Sequence, residues 1–264
     1  MPRLIHVRIG TVLLMLWGAA LIIFLAGLGN VPIRDWDEGI VARVALENSW
    51  SSGSDHLLAT FWGAPYLNKP PGLHWLIAAA MGLWRLLAGI EADALPPEWL
   101  VRLVPAFLSS LIVPLVGLVQ LRLRPSDRTA VVTSAVIALT LLPLSRHGRM
   151  AMLDGAQLSA ALILWLGLLM VTPARSPLGG GLIAGLAGSA LLLIKAPVVL
   201  PVLLAGLLLR WLDGNLSRRA WAVALIWIAI GLAPGLAWHG WHLSLIHISE
   251  PTRPELVSRM PSSA

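Results

Sequence analysis

Ionisable residues are scarce in this chain, and four short polar constellations stand out among them. These are Asp35-Trp36-Asp37-Glu38, then Asn68-Lys69-Pro70-Pro71, then Arg146-His147-Gly148-Arg149 with Asp154, and finally Lys195-Ala196-Pro197. Together they hold the parts of a site that binds a phosphorylated lipid through its cations and activates a hydroxyl through a carboxylate. Lys and Arg are natural phosphate ligands, and a carboxylate within reach of a hydroxyl can take its proton as general base. Each group alone has a plainer account. Acids after an apolar helix serve as a solvated loop or cap, Pro suits a first helical turn, boundary arginines and Lys195 reach for phospholipid headgroups, and Asp154 can be an N-cap.

The elements that must position these groups are long and apolar. Of 264 residues, 57% are hydrophobic and only 12% charged, and the mean hydropathy is +0.80. Soluble domains carry about 25% charged residues. Runs at 11–29, 99–121, 129–144, 157–171, 179–194, 198–209 and 220–238 approach or reach the roughly 18–20 residues that cross a hydrocarbon core of about 30 Å. The expected fold is all-α, a polytopic membrane helix bundle. Ionisable groups at membrane depth are costly and turn toward the bundle interior or a cavity. The first run is too long for a signal-peptide core and is expected to be a permanent span.

Segment 73–90 is long enough to cross, but the charges argue otherwise. If it does not cross, Arg3, Arg8, Arg122, Arg124, Arg128, Arg175, Arg210, Arg218 and Arg219 all fall in cytoplasmic loops, and the acidic stretch 91–98 falls outside. That is the pattern of the positive-inside rule. The segment is therefore expected to lie in or near the outer interface, embedded or re-entrant. Six of thirteen tryptophans (Trp36, Trp50, Trp62, Trp75, Trp84, Trp99) fall between residues 30 and 99, and Trp prefers the headgroup level. The first outer segment, about 30–98, is thus expected to carry interfacial helices. One of them, opened by Asp35 or Asp37, should bury Ile40, Val41, Val44 and Ala45 and turn Arg43 and Glu47 away.

The net charge of +6 comes from 17 Arg and 2 Lys against 13 acids. In a membrane protein this is a topology signal, and no nucleic-acid partner is expected. The absence of Cys excludes disulfides, thiolate metal sites and a cysteine nucleophile. From residue 244 the chain turns polar and proline-broken. SLIHISEPTRP resembles a translated sequencing adapter, so 244–264 is expected to be a non-native tail after a native module, 1–243, cut short near Leu243.

Asp37-Glu38 before a short amphipathic helix, then Tyr66-Leu67-Asn68-Lys69-Pro70-Pro71 and an aromatic-bearing helix, resembles the start of the polyprenyl-phosphate-sugar glycosyltransferases of the GT-C class. The lipid A aminoarabinose transferases and protein O-mannosyltransferases are nearest in pattern. Arg149-Met150-Ala151-Met152-Leu153-Asp154 and Ile194-Lys195-Ala196-Pro197 resemble the family's next landmarks. The resemblance covers about residues 10–240, the N-terminal half or so of such an enzyme. It implies a membrane glycosyltransferase that moves a sugar from a polyprenyl phosphate to a lipid or protein acceptor, with inversion, on the non-cytoplasmic side of the plasma (inner) membrane.

By the same resemblance Asp37 is the first-loop acid and candidate base, with Glu38 its neighbour. Lys69, Arg149 and Lys195 contact phosphate, with Arg146 and Tyr66 as further substrate-binding residues. Asp154 orients the acceptor or, in some relatives, a divalent metal. Ile40 and Val41 stand where aminoarabinose transferases usually carry Arg-Tyr, which leaves the wider family. Two other readings remain at this point. A transporter or flippase would line a path with the same charges, although no internal repeat is visible, and a truncated chain could be inactive.

Overall fold

The structure, a computed structural model, describes residues 8–34, 36–51, 56–91, 93–172 and 177–249, the last five by their backbone alone. Asp35, Arg3, Arg175 and residues 250–264 of the expected tail lie outside the described residues.

The chain is helical almost throughout. Helices α1 (Ile9–Leu25), α4 (Glu98–Ser110), α5 (Ile112–Leu123), α6 (Arg128–Thr140), α8 (Asp154–Met170), α9 (Pro177–Lys195), α10 (Val199–Leu212) and α11 (Arg218–Ser249) build the bundle. Three further helices, α2 (Asp37–Trp50), α3 (Gly72–Ala88) and α7 (Leu142–Gly148), cluster at one end. A two-stranded hairpin, β1 (Thr60–Phe61) with β2 (Ala64–Pro65), lies beside α2. Its turn residues Trp62 and Gly63 both have positive φ, 55° and 74°, as a tight hairpin turn requires.

Among the described residues, three helical runs are long and apolar enough to cross a membrane: Glu98–Leu123, Pro177–Leu212 and Arg218–Ser244. The α6–α7 pair makes a fourth, bent by 56°. The span expected over 129–144 is thus a bent pair of helices. Pro143, near the start of α7, has no N–H to give the preceding turn, and Leu141 is extended. The 36-residue run Pro177–Leu212 is about 54 Å long at helical rise, far beyond one crossing. It breaks where Lys195 leaves helical geometry at φ −160°, ψ 84°. The chain then reverses. Trp165 of α8 donates to the Val202 carbonyl, and Arg210 donates to the Val171 carbonyl at the far end of α8. Lys195 meanwhile lies beside Asp154, at the near end of α8.

The same reasoning orients the rest. Trp17 donates to Ser110 and Arg102 to the Leu28 carbonyl, so α1 runs antiparallel to α4. Gly181 abuts Ala224 and Gly185 abuts Gly231, so α9 and α11 run parallel. Their contact is made of small residues, which let backbones approach closely in a membrane. One end of the bundle therefore carries residues 28–38, 66–74, 102, 146–154, 195 and 239. The opposite end carries Arg122, Arg124, Arg128, Arg210 and Arg218.

Three apolar clusters follow this division. One joins Leu13, Phe24, Val113 and Val131 of α1, α5 and α6. Another joins Leu164, Leu191 and Ile228 of α8, α9 and α11. The third lies at the polar end, where Val41 and Ala45 of α2 and Leu73, Ile77 and Met81 of α3 pack on Leu100, Val101, Leu153 and Ile194. Because α3 packs on α2 and on the first turns of α4, it belongs to this end layer. Arg85 of α3 donates to the Ala94 carbonyl and to Ser49, holding the following loop.

Within α2, Val41, Val44 and Ala45 are buried as the apolar spacing requires. Glu47 departs from the expected outward face and is only 8% exposed. Its carboxylate accepts from Arg43 Nε at 2.5 Å, Thr60 Oγ1 at 2.7 Å, and the backbone N–H groups of Trp62 and Gly63 at 2.7 and 3.1 Å. The hairpin supplies these donors, which no spacing rule along α2 reveals.

Candidate functional site

At the polar end the helix termini open onto a cavity of about 710 Å³. Asp37 stands in the first turn of α2, Asp154 in the first turn of α8 and Lys195 in the last turn of α9. These placements suit the helix dipoles, with acids at N-termini and a cation at a C-terminus. Lys69 comes from the loop between the hairpin and α3. All four line the cavity, together with Asn68, His239 and His242. The Lys195 ammonium lies 3.8 Å from Asp154 Oδ1, with both side chains about half exposed (49% and 56%). Such a pair contributes little to stability, but it keeps a cation and an acid poised over open space.

Asp37 is held by its neighbours. Trp36 just before it has φ 74° and ψ −99°, a backbone conformation that costs about 1–3 kcal/mol. It persists because Glu38 Oε2 accepts the Arg34 N–H at 2.9 Å and the Gly39 N–H donates to the Arg34 carbonyl at 3.0 Å.

Glu38 does not join Asp37 in the cavity. It is fully buried, and its carboxylate accepts from Arg102 Nε at 2.6 Å, Arg102 Nη2 at 2.7 Å and the Ala151 N–H at 2.9 Å. Arg102 also donates to the carbonyls of Leu28, Val31 and Pro32 at 2.7, 2.6 and 2.9 Å. Burial pushes the Glu38 carboxyl up, but the Arg102 guanidinium and the Arg34 and Ala151 N–H groups outweigh it and hold the pKa below the usual value. The expectation of Glu38 as a second catalytic acid is therefore corrected. Consecutive residues of a helix point about 100° apart, so Asp37 faces the cavity while Glu38 faces the protein. It is a positioning residue that ties α1, α2, α4 and the 150s loop together.

Arg146 and Arg149, expected beside Lys69, are also placed elsewhere. With Arg34, Arg102 and Glu38 they line a second cavity of about 270 Å³, and no described residue borders both. Arg149 donates to the Ala26 carbonyl at the frayed end of α1. Tyr66 stands behind the first cavity. Its ring packs edge-on to His74 at 5.8 Å and against Phe61 at 6.2 Å. Burial, with the Asp37 charge adding to it, raises its hydroxyl pKa, and the hydroxyl has no hydrogen-bond partner among the described residues.

Two groups of the cavity went unnoticed in the sequence. His239 bonds through Nε2 to the Leu192 carbonyl at 3.0 Å, capping α9 where its helix breaks. His242 stacks on Trp238 with ring centroids 4.7 Å apart, and Trp238 donates to the Leu57 carbonyl at 3.1 Å. Their i, i+3 and i+4 spacing at the end of an apolar helix was the available signal. Arg102, inside an apolar run, was another.

Among the described residues, no three His, Asp or Glu side chains come together as metal ligands. Asp154 faces an ammonium, which competes with a bound cation. The residues present do not fit a resident divalent metal.

The fold and the site define a multi-pass membrane protein of the GT-C class. Residues 66–243 match the dolichyl-phosphate-mannose-protein mannosyltransferase family, and the chain belongs to it. Two crystal structures of ArnT from Cupriavidus metallidurans share the fold. The apo form has a TM-score of 0.69 at 21% identity, and the form bound to undecaprenyl phosphate 0.64 at 19%. Each match covers 94% of this chain but only 44% and 43% of the ArnT chain, so the chain spans less than half the length of these relatives. No curated protein sequence matches it.

Proposed function

We propose that this chain forms the donor-binding membrane module of a glycosyltransferase that transfers a sugar from a polyprenyl phosphate to a lipid or protein hydroxyl on the non-cytoplasmic side. The observation that carries this reading is the convergence of Asp37, Lys69, Asp154 and Lys195, from four separate elements, on one cavity. The arginines at the opposite bundle end support a cytoplasmic location for that end. The undecaprenyl phosphate bound in one ArnT structure supports the donor class.

The reaction follows from the groups present. The acceptor oxygen attacks the anomeric carbon as the carbon–oxygen bond to phosphate breaks, and the centre inverts. Asp37 takes the hydroxyl proton, and the departing phosphate gains charge that Lys69 and Lys195 stabilise. Asp154 holds Lys195 and orients the acceptor. Glu38 and Arg102 keep Asp37 in place.

The test is the protein reconstituted in nanodiscs, with undecaprenyl phosphate binding and sugar transfer both measured. Asp37→Asn should abolish transfer and leave binding intact, whereas Lys69→Ala should weaken both. Binding and transfer unchanged in both variants would overturn the assignment.

A further inference from the structure

The second cavity has a charge imbalance that its own residues do not resolve. Four guanidiniums line it (Arg34, Arg102, Arg146, Arg149) with Glu38 as the one acid among the described lining residues. That acid is already taken, since both carboxylate oxygens accept from Arg102 and from backbone N–H groups. Glu38 is fully buried and Arg102 is 5% exposed, so neither turns toward solvent to serve another partner. Among the described residues the other three arginines have no ion-pair partner.

Arg149 is half-buried and oriented by its bond to the Ala26 carbonyl. Gly27, at φ 65°, lies between Asn30 and Arg149, and a Cβ there would stand 2.7 Å from Asn30 Nδ2 and 3.8 Å from Arg149 Nη2. Arg146 sits one turn after Leu142, which is 72% exposed, and the cavity is bordered by Val31 at 53%. Cations with apolar neighbours on one surface at the end of a membrane-length bundle meet a phosphate and its acyl chains together. Guanidiniums bind phosphate oxygens in pairs, with charge-assisted hydrogen bonds.

We infer that this cavity binds the phosphate of a membrane lipid through Arg34, Arg146 and Arg149, at a site separate from the Lys69 cavity. The phosphate has two sources, the headgroup of an anionic phospholipid or a second polyprenyl phosphate. The site lies across the N-terminus of α2 from Asp37.

Native mass spectrometry of the protein from nanodiscs of phosphatidylglycerol in phosphatidylcholine, with and without undecaprenyl phosphate, reads both sources. Arg34→Gln/Arg146→Gln, which spares the buried pair and the α1 cap, should reduce retained lipid about tenfold. Arg34→Lys/Arg146→Lys should recover part of it. On a Lys69→Ala background, which already lacks lipid held in the donor cavity, the double Gln change should still remove a further bound lipid, which separates the result from the fate of the donor-site reading. Loss of phosphatidylglycerol would identify a phospholipid site, and loss of undecaprenyl phosphate alone would identify a second polyprenyl site. Equal retention of both lipids in the double Gln variant, with its thermal midpoint unchanged, or no further loss on the Lys69→Ala background, would overturn the inference.

Discussion

Glu38 and Arg102 stand 64 residues apart, yet the carboxylate and guanidinium meet at 2.6 and 2.7 Å with both side chains buried. Breaking a buried pair leaves one charge uncompensated and costs about 3–5 kcal/mol. Arg102→Leu should therefore lower the unfolding midpoint in detergent markedly. The double variant Glu38→Gln/Arg102→Leu should regain part of the loss. Equal midpoints for wild type and Arg102→Leu would refute the buried tie.

His74 gives the fold a pH dependence. Burial, with the Lys69 charge adding to it, lowers its pKa from 6.5 to about 4. The unfolded chain thus takes up a proton before the folded one does, and stability contributed by the neutral ring is fully present above about 6.5. It is lost as pH falls from there toward 4. His74→Phe should flatten the thermal midpoint over that window, and an unchanged slope would count against it.

The bundle orientation is testable because the chain has no native cysteine. Single substitutions Lys69→Cys and Asp154→Cys should both react with an impermeant maleimide applied from outside intact cells. Arg124→Cys and Ser217→Cys should react only after permeabilisation. Positions 69 and 154 on opposite faces would contradict the shared bundle end.

The contact between α9 and α11 tolerates little. A Cβ on Gly185 would stand 2.4 Å from the Ile228 carbonyl oxygen and 2.8 Å from Gly231 Cα. Gly185→Leu should push the helices apart at a cost of about 1–3 kcal/mol, and undecaprenyl phosphate binding should fall with stability. Gly240→Ala, whose Cβ would meet nothing within 4 Å, is the matched control.

Much of this was legible in the sequence because charge in a membrane chain is expensive wherever it occurs. Asp37, Lys69, Asp154 and Lys195 stood out against apolar surroundings, and the arginine asymmetry set the bundle ends. The side on which each group faces was not legible. Glu38 looks like a partner of Asp37 in one dimension and turns about 100° away in three. Arg146 and Arg149 share the end of the bundle with Lys69, but the N-terminus of α2 intervenes. Arg102 was hidden inside a span read only by its hydropathy, and Glu47 was misplaced because its donors come from a hairpin too short to show in any periodicity. His239 and His242 were passed over as the last turns of an apolar helix.

The glycine contact between α9 and α11 has a mechanical consequence. Lys195 rides on one of these helices, His239 and His242 on the other, and backbone-to-backbone contact leaves no slack for either to shift alone. Another wall is the short loop Asn68-Lys69-Pro70, between the hairpin and α3. Under the proposed function, the departing phosphate would meet one lysine set on a helix locked by its neighbour and one carried by a loop.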